Sequence, residues 1–393
     1  MMPSMLRALI IPALALVAGT ASLHAEEAVS DDQSLAAAEP QDVLVPGNLF
    51  VAPAGLEPVP FELLGESIPP GSYRQMAWSG TELFEGLPVD TPVLVVHGAA
   101  AGPVVCLTAA IHGDELNGIE IVRRVLHGLQ PSKLAGTIVG VPIVNIQGFR
   151  RGSRYLPDRR DLNRYFPGSR GGSAASRIAY AFFNEIVVNC DALVDLHTGS
   201  FERANLPQLR ADLSNPGVAA LAAGFGATVI VNSQPQAGTL RYSATLAGVP
   251  TVTLEAGGPE RLEPQEVIHG VRGVESLLHT LRMVPDGTPW AGTEATYFRS
   301  SWVRADSGGI LISNVELGSE VAEGELLGRV TDPITNETAG IYAPSDGRII
   351  GMARNQVVMP GFAAFHLGVA RRGADNPALA PPMPDEEAGD KSE

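Results

Sequence analysis

The sequence predicts an α/β protein built on a mixed, largely parallel sheet flanked by helices, followed by a small all-β, barrel-like module. Two observations carry the first half. Short apolar runs rich in Val, Leu and Ala alternate with stretches whose apolar residues recur at spacings of three and four. Several of those runs stop abruptly at a His or a Glu, as strands do when they deliver side chains to a sheet edge. The third observation is a change of texture. Across residues 296–368, short β-type segments (WVRA, GILI, LLGRV, GIYA, GRIIGM) alternate with Gly, Pro and Asp turns and show no helical period.

With 393 residues the chain has room for a catalytic domain and a smaller second one. An apolar fraction of 45% excludes general disorder. A formal charge of −16 argues against nucleic-acid partners, which need a basic surface, and against docking on anionic lipid. It leaves open an anionic small molecule, because a local group of arginines can override the global field. Residues 1–7 carry a single positive charge, 8–17 are apolar apart from Pro12, and 19–25 are small and polar. That is the order of a secretory signal, with cleavage expected after Ala25. The apolar run is shorter than the ~20 residues of a membrane span. The expectation is therefore an exported, periplasmic or secreted protein with no stable membrane insertion after signal cleavage.

Only Cys106 and Cys190 are present, each in an apolar run, so no disulfide framework holds the fold. Buried free thiols are the expectation, although export permits one disulfide.

Residues 26–60 are Ala-, Pro- and acid-rich and read as a linker or N-terminal arm. A catalytic domain is expected over residues 61–290. Residues 94–97 and 103–110 read as strands separated by a Gly/Ala turn, the first able to pair with the second as a hairpin. Residues 117–129 place Ile119, Val122, Leu126 and Leu129 on one helical face, and 137–146 read as the next buried strand. Strand, helix, strand in that order suggests a parallel crossover. A second amphipathic helix follows at 173–188, then a strand at 192–197 and a helical piece at 218–223. A strand at 228–231, a helix at 240–247, a strand at 250–254 and a helix at 267–281 complete the domain. The β-module is placed at residues 291–372 and a disordered tail at 373–393. Within the module, Gly318 to Gly324 and the following LLGRV resemble the turn and strand of lipoyl- and biotinyl-type barrels. The lysine those barrels modify has no counterpart, since no Lys occurs between Lys133 and Lys391, and cofactor carriage is not expected.

Three strand ends supply the chemistry: His112 with Glu115, then His197, then Glu255. Two imidazoles and one carboxylate leave a zinc ion one open position, the ligand set of hydrolytic rather than structural sites. One Zn2+ per chain on His112, Glu115 and His197 is the expectation. Glu255 is read as the general base that takes a proton from water and returns it to a leaving amine. Asp195, two residues before His197, is assigned the opposite face of its strand and a structural role. The loop over residues 145–168 holds six arginines against two aspartates, and long irregular segments of this kind tend to be functional. Within it, Arg154 is read as the oxyanion stabiliser, and Asn163 with Arg164 as the grip on a substrate carboxylate. His97, His127, His269, His279 and His366 lack a matching partner and read as structural.

His112-Gly-Asp-Glu115, Asp161-Leu-Asn163-Arg164, Asp195-Leu-His197-Thr-Gly199 and Thr253-Leu-Glu255 together resemble the motif series of the succinylglutamate desuccinylase/aspartoacylase family. The resemblance covers residues 61–283, and the C-terminal β-module is similar to one that many members carry. It implies a zinc-carboxypeptidase-like α/β fold and zinc held by His112, Glu115 and His197. It also implies Glu255 as catalytic acid/base and Arg154, Asn163 and Arg164 in substrate contact. One departure is Ile146, which follows Asn145 where relatives usually have Pro. The leading reading is an exported, zinc-dependent amidohydrolase that cleaves an amide near a free carboxylate, as an N-acyl amino acid deacylase does. One alternative is a zinc metallocarboxypeptidase acting on peptides or cell-wall stem peptides. The other is a non-catalytic zinc- or carboxylate-binding module.

Overall fold

The computed structural model describes residues 57–80, 89–369 and the backbone of 383–384; the expected signal, most of the N-terminal arm and nearly all of the tail lie outside them. The chain enters through a small hairpin, β1 (Phe61–Leu63) and β2 (Glu66–Ile68), and then β3 (Ser72–Trp78) and β4 (Thr91–His97). The crossover unit follows as β5 (Ala100–Ala109), α1 (Asn117–Gly128) and β6 (Ala135–Val141). A one-turn helix α2 (Ile146–Phe149), the long arginine-bearing loop and α3 (Ala174–Glu185) lead to β7 (Ala192–His197) and β8 (Arg203–Ala211). Next come α4 (Pro216–Gly224), β9 (Val229–Gln234), α5 (Leu240–Leu246), β10 (Thr251–Gly257) and α6 (Pro264–Thr280).

The sheet runs β8-β10-β7-β5-β6-β4-β3 through this region. Its centre is parallel: β6 with β5, β5 with β7, β7 with β10. β8 lies antiparallel to β10, and β4 antiparallel to β6. Alternation along each strand sends side chains to two cores. Val105, Leu107 and Leu254 pack under α1, α4 and α6, while Cys106, Leu193 and Val139 pack under α3 and α5. The fold class read from the sequence is the one found, including the all-strand C-terminal region.

Three details depart from the sequence reading. The expected hairpin of β4 with β5 does not form, because β6 lies between them. The turn at Gly98 instead wraps the start of β6: Gly98 N donates to Gly136 O at 2.8 Å, and Ala100 N to Leu134 O at 3.3 Å. Gly136 has φ +84°, and a Cβ there would stand 2.2 Å from Pro103 O. Only glycine permits that close approach.

The second departure is the strand read over 137–146. It ends at Val141, and Asn145 caps α2 by accepting from Gly148 N at 2.8 Å. The third is that Cys106 and Cys190 are not free thiols; they form a disulfide with Cα atoms 5.8 Å apart. Cys106 lies on β5 and Cys190 just ahead of β7, and these two strands are neighbours in the sheet. A pairing register is a long-range fact that spacing in the chain does not reveal. The bridge spans 84 residues of sequence, so constraint of the unfolded chain should contribute about 2–4 kcal/mol. Chemical denaturation of the oxidised protein against the Cys106→Ala, Cys190→Ala pair measures this. Equal stabilities would show that the bridge adds nothing.

Beyond α6 the regular elements of the described residues are all strands: β11 (Thr296–Tyr297), β12 (Arg299–Arg304), β13 (Gly309–Ser313), β14 (Glu320–Val321) and β15 (Leu326–Thr331). β16 (Thr338–Tyr342), β17 (Gly347–Ala353), β18 (Gln356–Val358), β19 (Ala363–Val369) and β20 (Met383–Pro384) follow. β16-β15-β13-β18 make one sheet, while β12-β19-β17 continue the main sheet because β17 pairs with β8. Their shared core includes Leu311, Leu327, Ile349 and Phe365. The β-region is thus bonded, strand to strand, to the strand beside Glu255.

Candidate active site

Every predicted site residue comes to one edge of the sheet, on the face that α3 and α5 cover. β5 ends at Ala109, and its continuation carries His112 and Glu115 in a short turn before α1. Gly113 makes the turn possible, since a Cβ there would stand 2.1 Å from Gly148 C and Phe149 N in α2. β7 ends at His197, and on the neighbouring strand Glu255 is its register partner. His112, Glu115, His197 and Glu255 are all buried, each 5% exposed or less.

Among the described residues, the ligand atoms of His112, Glu115 and His197 all lie within 4.8 Å of one another. His112 Nδ1 and His197 Nδ1 are 3.2 Å apart. Glu115 Oε1 is 2.7 Å from the first, and Oε2 is 2.8 Å from the second. The opposite nitrogen of each ring is held by a carboxylate: Asp161 Oδ1 at 3.1 Å from His112 Nε2, and Asp195 Oδ2 at 2.9 Å from His197 Nε2. A carboxylate behind the imidazole sets the tautomer that turns the other nitrogen's lone pair toward a metal. Two nitrogens bound at ~2.0–2.1 Å to a tetrahedral ion lie roughly 3.3 Å apart, and these two match that spacing. The residues fit a zinc ion.

The electrostatics agree. Burial and Arg154 push the His112 imidazole down, but Glu115 and Asp161 outweigh them and leave it raised. Burial likewise lowers His197, and Asp195 with Glu115 more than reverse it, leaving it well above the usual value. Burial raises Glu115, yet the two imidazoles hold it well below the carboxylate range. The carboxylates thus favour positive charge at the centre of the cluster, as protons or as a metal that displaces them.

Asp195 corrects the sequence reading. Residues two apart in a strand share a face, so Asp195 lies beside His197 and orients it, while its Oδ1 accepts from Thr108 Oγ1 at 2.7 Å.

Of the six loop arginines, only Arg154 and Arg164 enter the site; Arg150, Arg151, Arg159 and Arg160 are exposed. Arg154 is buried and donates to Ser200 Oγ at 2.6 Å and to Asp161 Oδ2 at 2.9 Å. Asp161 also accepts from Asn163 N at 2.9 Å, which closes the turn carrying Asn163 and Arg164. Asn163 Oδ1 accepts from Leu240 N at 2.8 Å, tying that turn to α5 and leaving its amide nitrogen as a donor. Asn163, Arg164, His197 and Glu255 line a narrow cleft that Arg210 and Arg241 also enter.

The sequence reading missed Asp161 as the orienter of both His112 and Arg154, and it missed β8 entirely. From β8, Asn205 Nδ2 donates to Glu255 Oε2 at 3.1 Å, and Arg210 Nε lies 3.3 Å from Glu255 Oε1. Glu255 is thereby held at both oxygens. Pro207 hid this strand, because proline rarely sits in a central strand. It is tolerated here because residues 203–205 pair with β17 and residues 208–211 with β9, and Pro207 falls in the gap.

An α/β fold with a buried His-Glu-His group, a flanked glutamate and inward arginines defines a hydrolase class that comparison narrows. The succinylglutamate desuccinylase/aspartoacylase catalytic domain profile matches residues 101–281. The N-alpha-acetyl-L-2,4-diaminobutyric acid deacetylase of Halomonas elongata is 30% identical over 275 residues, covering 67% of this chain and 78% of that protein. The product-bound ectoine utilization protein EutE (DoeB) from Ruegeria pomeroyi superposes with a TM-score of 0.66 at 26% identity, covering 72% of this chain and 90% of that one. A succinylglutamate desuccinylase/aspartoacylase from Rhodobacter sphaeroides gives a TM-score of 0.65 at 26% identity, with the same coverage. The chain belongs to the succinylglutamate desuccinylase/aspartoacylase family, and as a member it is a hydrolase acting on amide bonds.

Proposed function

We propose that this protein is an exported, zinc-dependent amidohydrolase that cleaves an N-acyl amino acid, or a compound of that chemistry, at an amide near a free carboxylate. The observation that carries the reading is the convergence of His112 Nδ1, His197 Nδ1 and Glu115 beside a cleft holding both Glu255 and Arg164. Zinc bound there supplies Lewis acidity and lowers the pKa of water toward ~7.

The chain's own residues do the rest. Asp161 and Asp195 keep both imidazoles turned inward. Asn163 and Arg164 draw the substrate carboxylate into the cleft and so set where the amide lies. Arg154 presents its guanidinium to the oxygen that becomes negative as the carbonyl is attacked. Glu255, fixed by Asn205 and Arg210, removes a proton from the attacking water and delivers it to the departing amine nitrogen. A glutamate so held suits turnover, and a mere binding module has no use for it.

Export is supported by the N-terminal pattern and by the Cys106–Cys190 bridge, which suits an oxidising compartment. Among the described residues no helix is long and apolar enough to cross a membrane. The expected partner is a carboxylate-bearing small molecule, and the net charge of −16 opposes nucleic acid.

Metal analysis coupled to a hydrolysis screen tests the proposal. The expected result is about one zinc per chain and turnover of N-acyl amino acids, N-alpha-acetyl-2,4-diaminobutyrate included. Turnover confined to peptides with free C-termini would favour the carboxypeptidase, and metal binding without any turnover the binding module. Arg164→Met should raise KM by about 10- to 100-fold while changing kcat little, since it removes a charge-assisted contact made equally in ground and transition states. A fall in kcat at unchanged KM would place Arg164 elsewhere in the reaction.

A further inference from the structure

Between His197 and Asn205 the chain passes through a tight excursion, Thr198 to Ala204, that borders the site, with Thr198 N donating to Glu115 Oε2 at 3.2 Å. Ser200 accepts from Arg154 at 2.6 Å, and Asn205 donates to Glu255 at 3.1 Å. The ring of Phe201 lies under the Arg154 guanidinium, 5.4 Å from its centroid to Cζ. The excursion does not hold this shape by itself. Phe201 and Glu202 stand at φ +53° and +57°, the left-handed region that residues with a Cβ avoid. Something outside the loop must over-determine them.

The β-region after α6 does so. Arg203 Cζ sits 5.0 Å from the Trp302 ring, 5.3 Å from Phe362 and 5.6 Å from Phe201, so one guanidinium meets three aromatic faces. Trp302 lies on β12 and Phe362 just before β19, both in the β-region. Glu202 O accepts from Arg354 N at 2.8 Å and from Gln356 Nε2 at 3.2 Å. Arg203 and Asn205 are ladder partners of Ala353 and Gly351 on β17. The loop that faces the reaction on one side is thus pinned on the other by residues far later in the chain, Gln356 lying 154 positions after Glu202.

We propose that Arg203, Trp302 and Phe362 form a clamp through which the C-terminal β-region positions Ser200, Phe201 and thereby Arg154 for amide cleavage. They are positioning residues that do not touch the substrate. The inference rests on the reading of Arg154 as the group that meets the developing oxyanion. A guanidinium displaced by about an ångström loses transition-state contact while metal and carboxylate grip stay in place. The cation–π contacts require a positive charge at Arg203, so lysine retains part of the clamp and methionine does not.

The test compares Arg203→Met, Arg203→Lys and Trp302→Leu in the full-length protein by steady-state kinetics, metal analysis and hydrogen exchange of the 198–205 peptide. Arg203→Met and Trp302→Leu should exchange faster in that peptide and lose about 10- to 100-fold in kcat, with KM and metal content near wild type. Arg203→Lys should recover most of the kcat. Unchanged exchange, or faster exchange at unchanged kcat, overturns the clamp, as does a lysine variant no better than methionine. A wild-type protein that hydrolyses no acylated amino acid sinks the proposed reaction instead, and exchange alone then decides the clamp.

Discussion

Glu255→Gln should lower kcat by about 10³- to 10⁴-fold, the upper range for loss of a general base, with metal content and KM close to wild type. The substitution keeps the length and shape of the side chain and removes its ability to take a proton, together with the charge that faces Arg210. Glu255 is buried at 2% exposure and is held by Asn205 on one oxygen and Arg210 on the other. It does not belong to the His112, Glu115, His197 group, so the metal should be indifferent to the change. Metal analysis and kcat measured on one preparation separate the two roles. A variant within tenfold of wild type would mean the proton goes elsewhere, and one that loses its metal would make Glu255 a ligand. Asn205→Ala should give a smaller loss, because Arg210 still holds the carboxylate.

Much of this site was legible in the sequence because its chemistry is local. His112 and Glu115 share one turn, Asn163 and Arg164 are adjacent, and His197 and Glu255 each close an apolar run. Strands buried on both faces announce themselves as such runs. What stayed hidden is what pairing creates. Cys106 and Cys190 meet only because β5 and β7 are neighbours, and β4 is separated from β5 only because β6 slides between. β8 was invisible for a different reason. Its Pro207 and alternating polar residues suit a strand that changes partners partway, a circumstance that requires knowledge of β17 and β9. Asn205, Arg210 and the Arg203 clamp were lost with it. Asp161 was in view within its motif, but its role depends on a loop fold that places it between His112 and Arg154.

His197→Ala should abolish both stoichiometric metal and measurable turnover, and it is the substitution that binds the metal reading to the hydrolytic one. Removing His197 leaves His112 and Glu115 as ligands, too few for a zinc site that ordinarily has three protein ligands and an open position. It also leaves Asp195 buried at 1% exposure with its imidazole partner gone, so the empty strand end should be less stable than wild type. Asp195→Asn separates these effects. The ring and its inward Nδ1 remain, while the carboxylate that raises ligand basicity is lost, and zinc affinity should fall about 10- to 100-fold. Chelator competition followed by metal analysis reads the affinities, and re-addition of zinc reads recovery. Asp195→Asn should regain activity at high zinc and His197→Ala should not, because only the latter lacks a ligand. Should His197→Ala keep one zinc per chain and turn over substrate, the convergence of His112, Glu115 and His197 would be a buried ion-pair network, and the water-activating centre would have to lie elsewhere along the sheet edge.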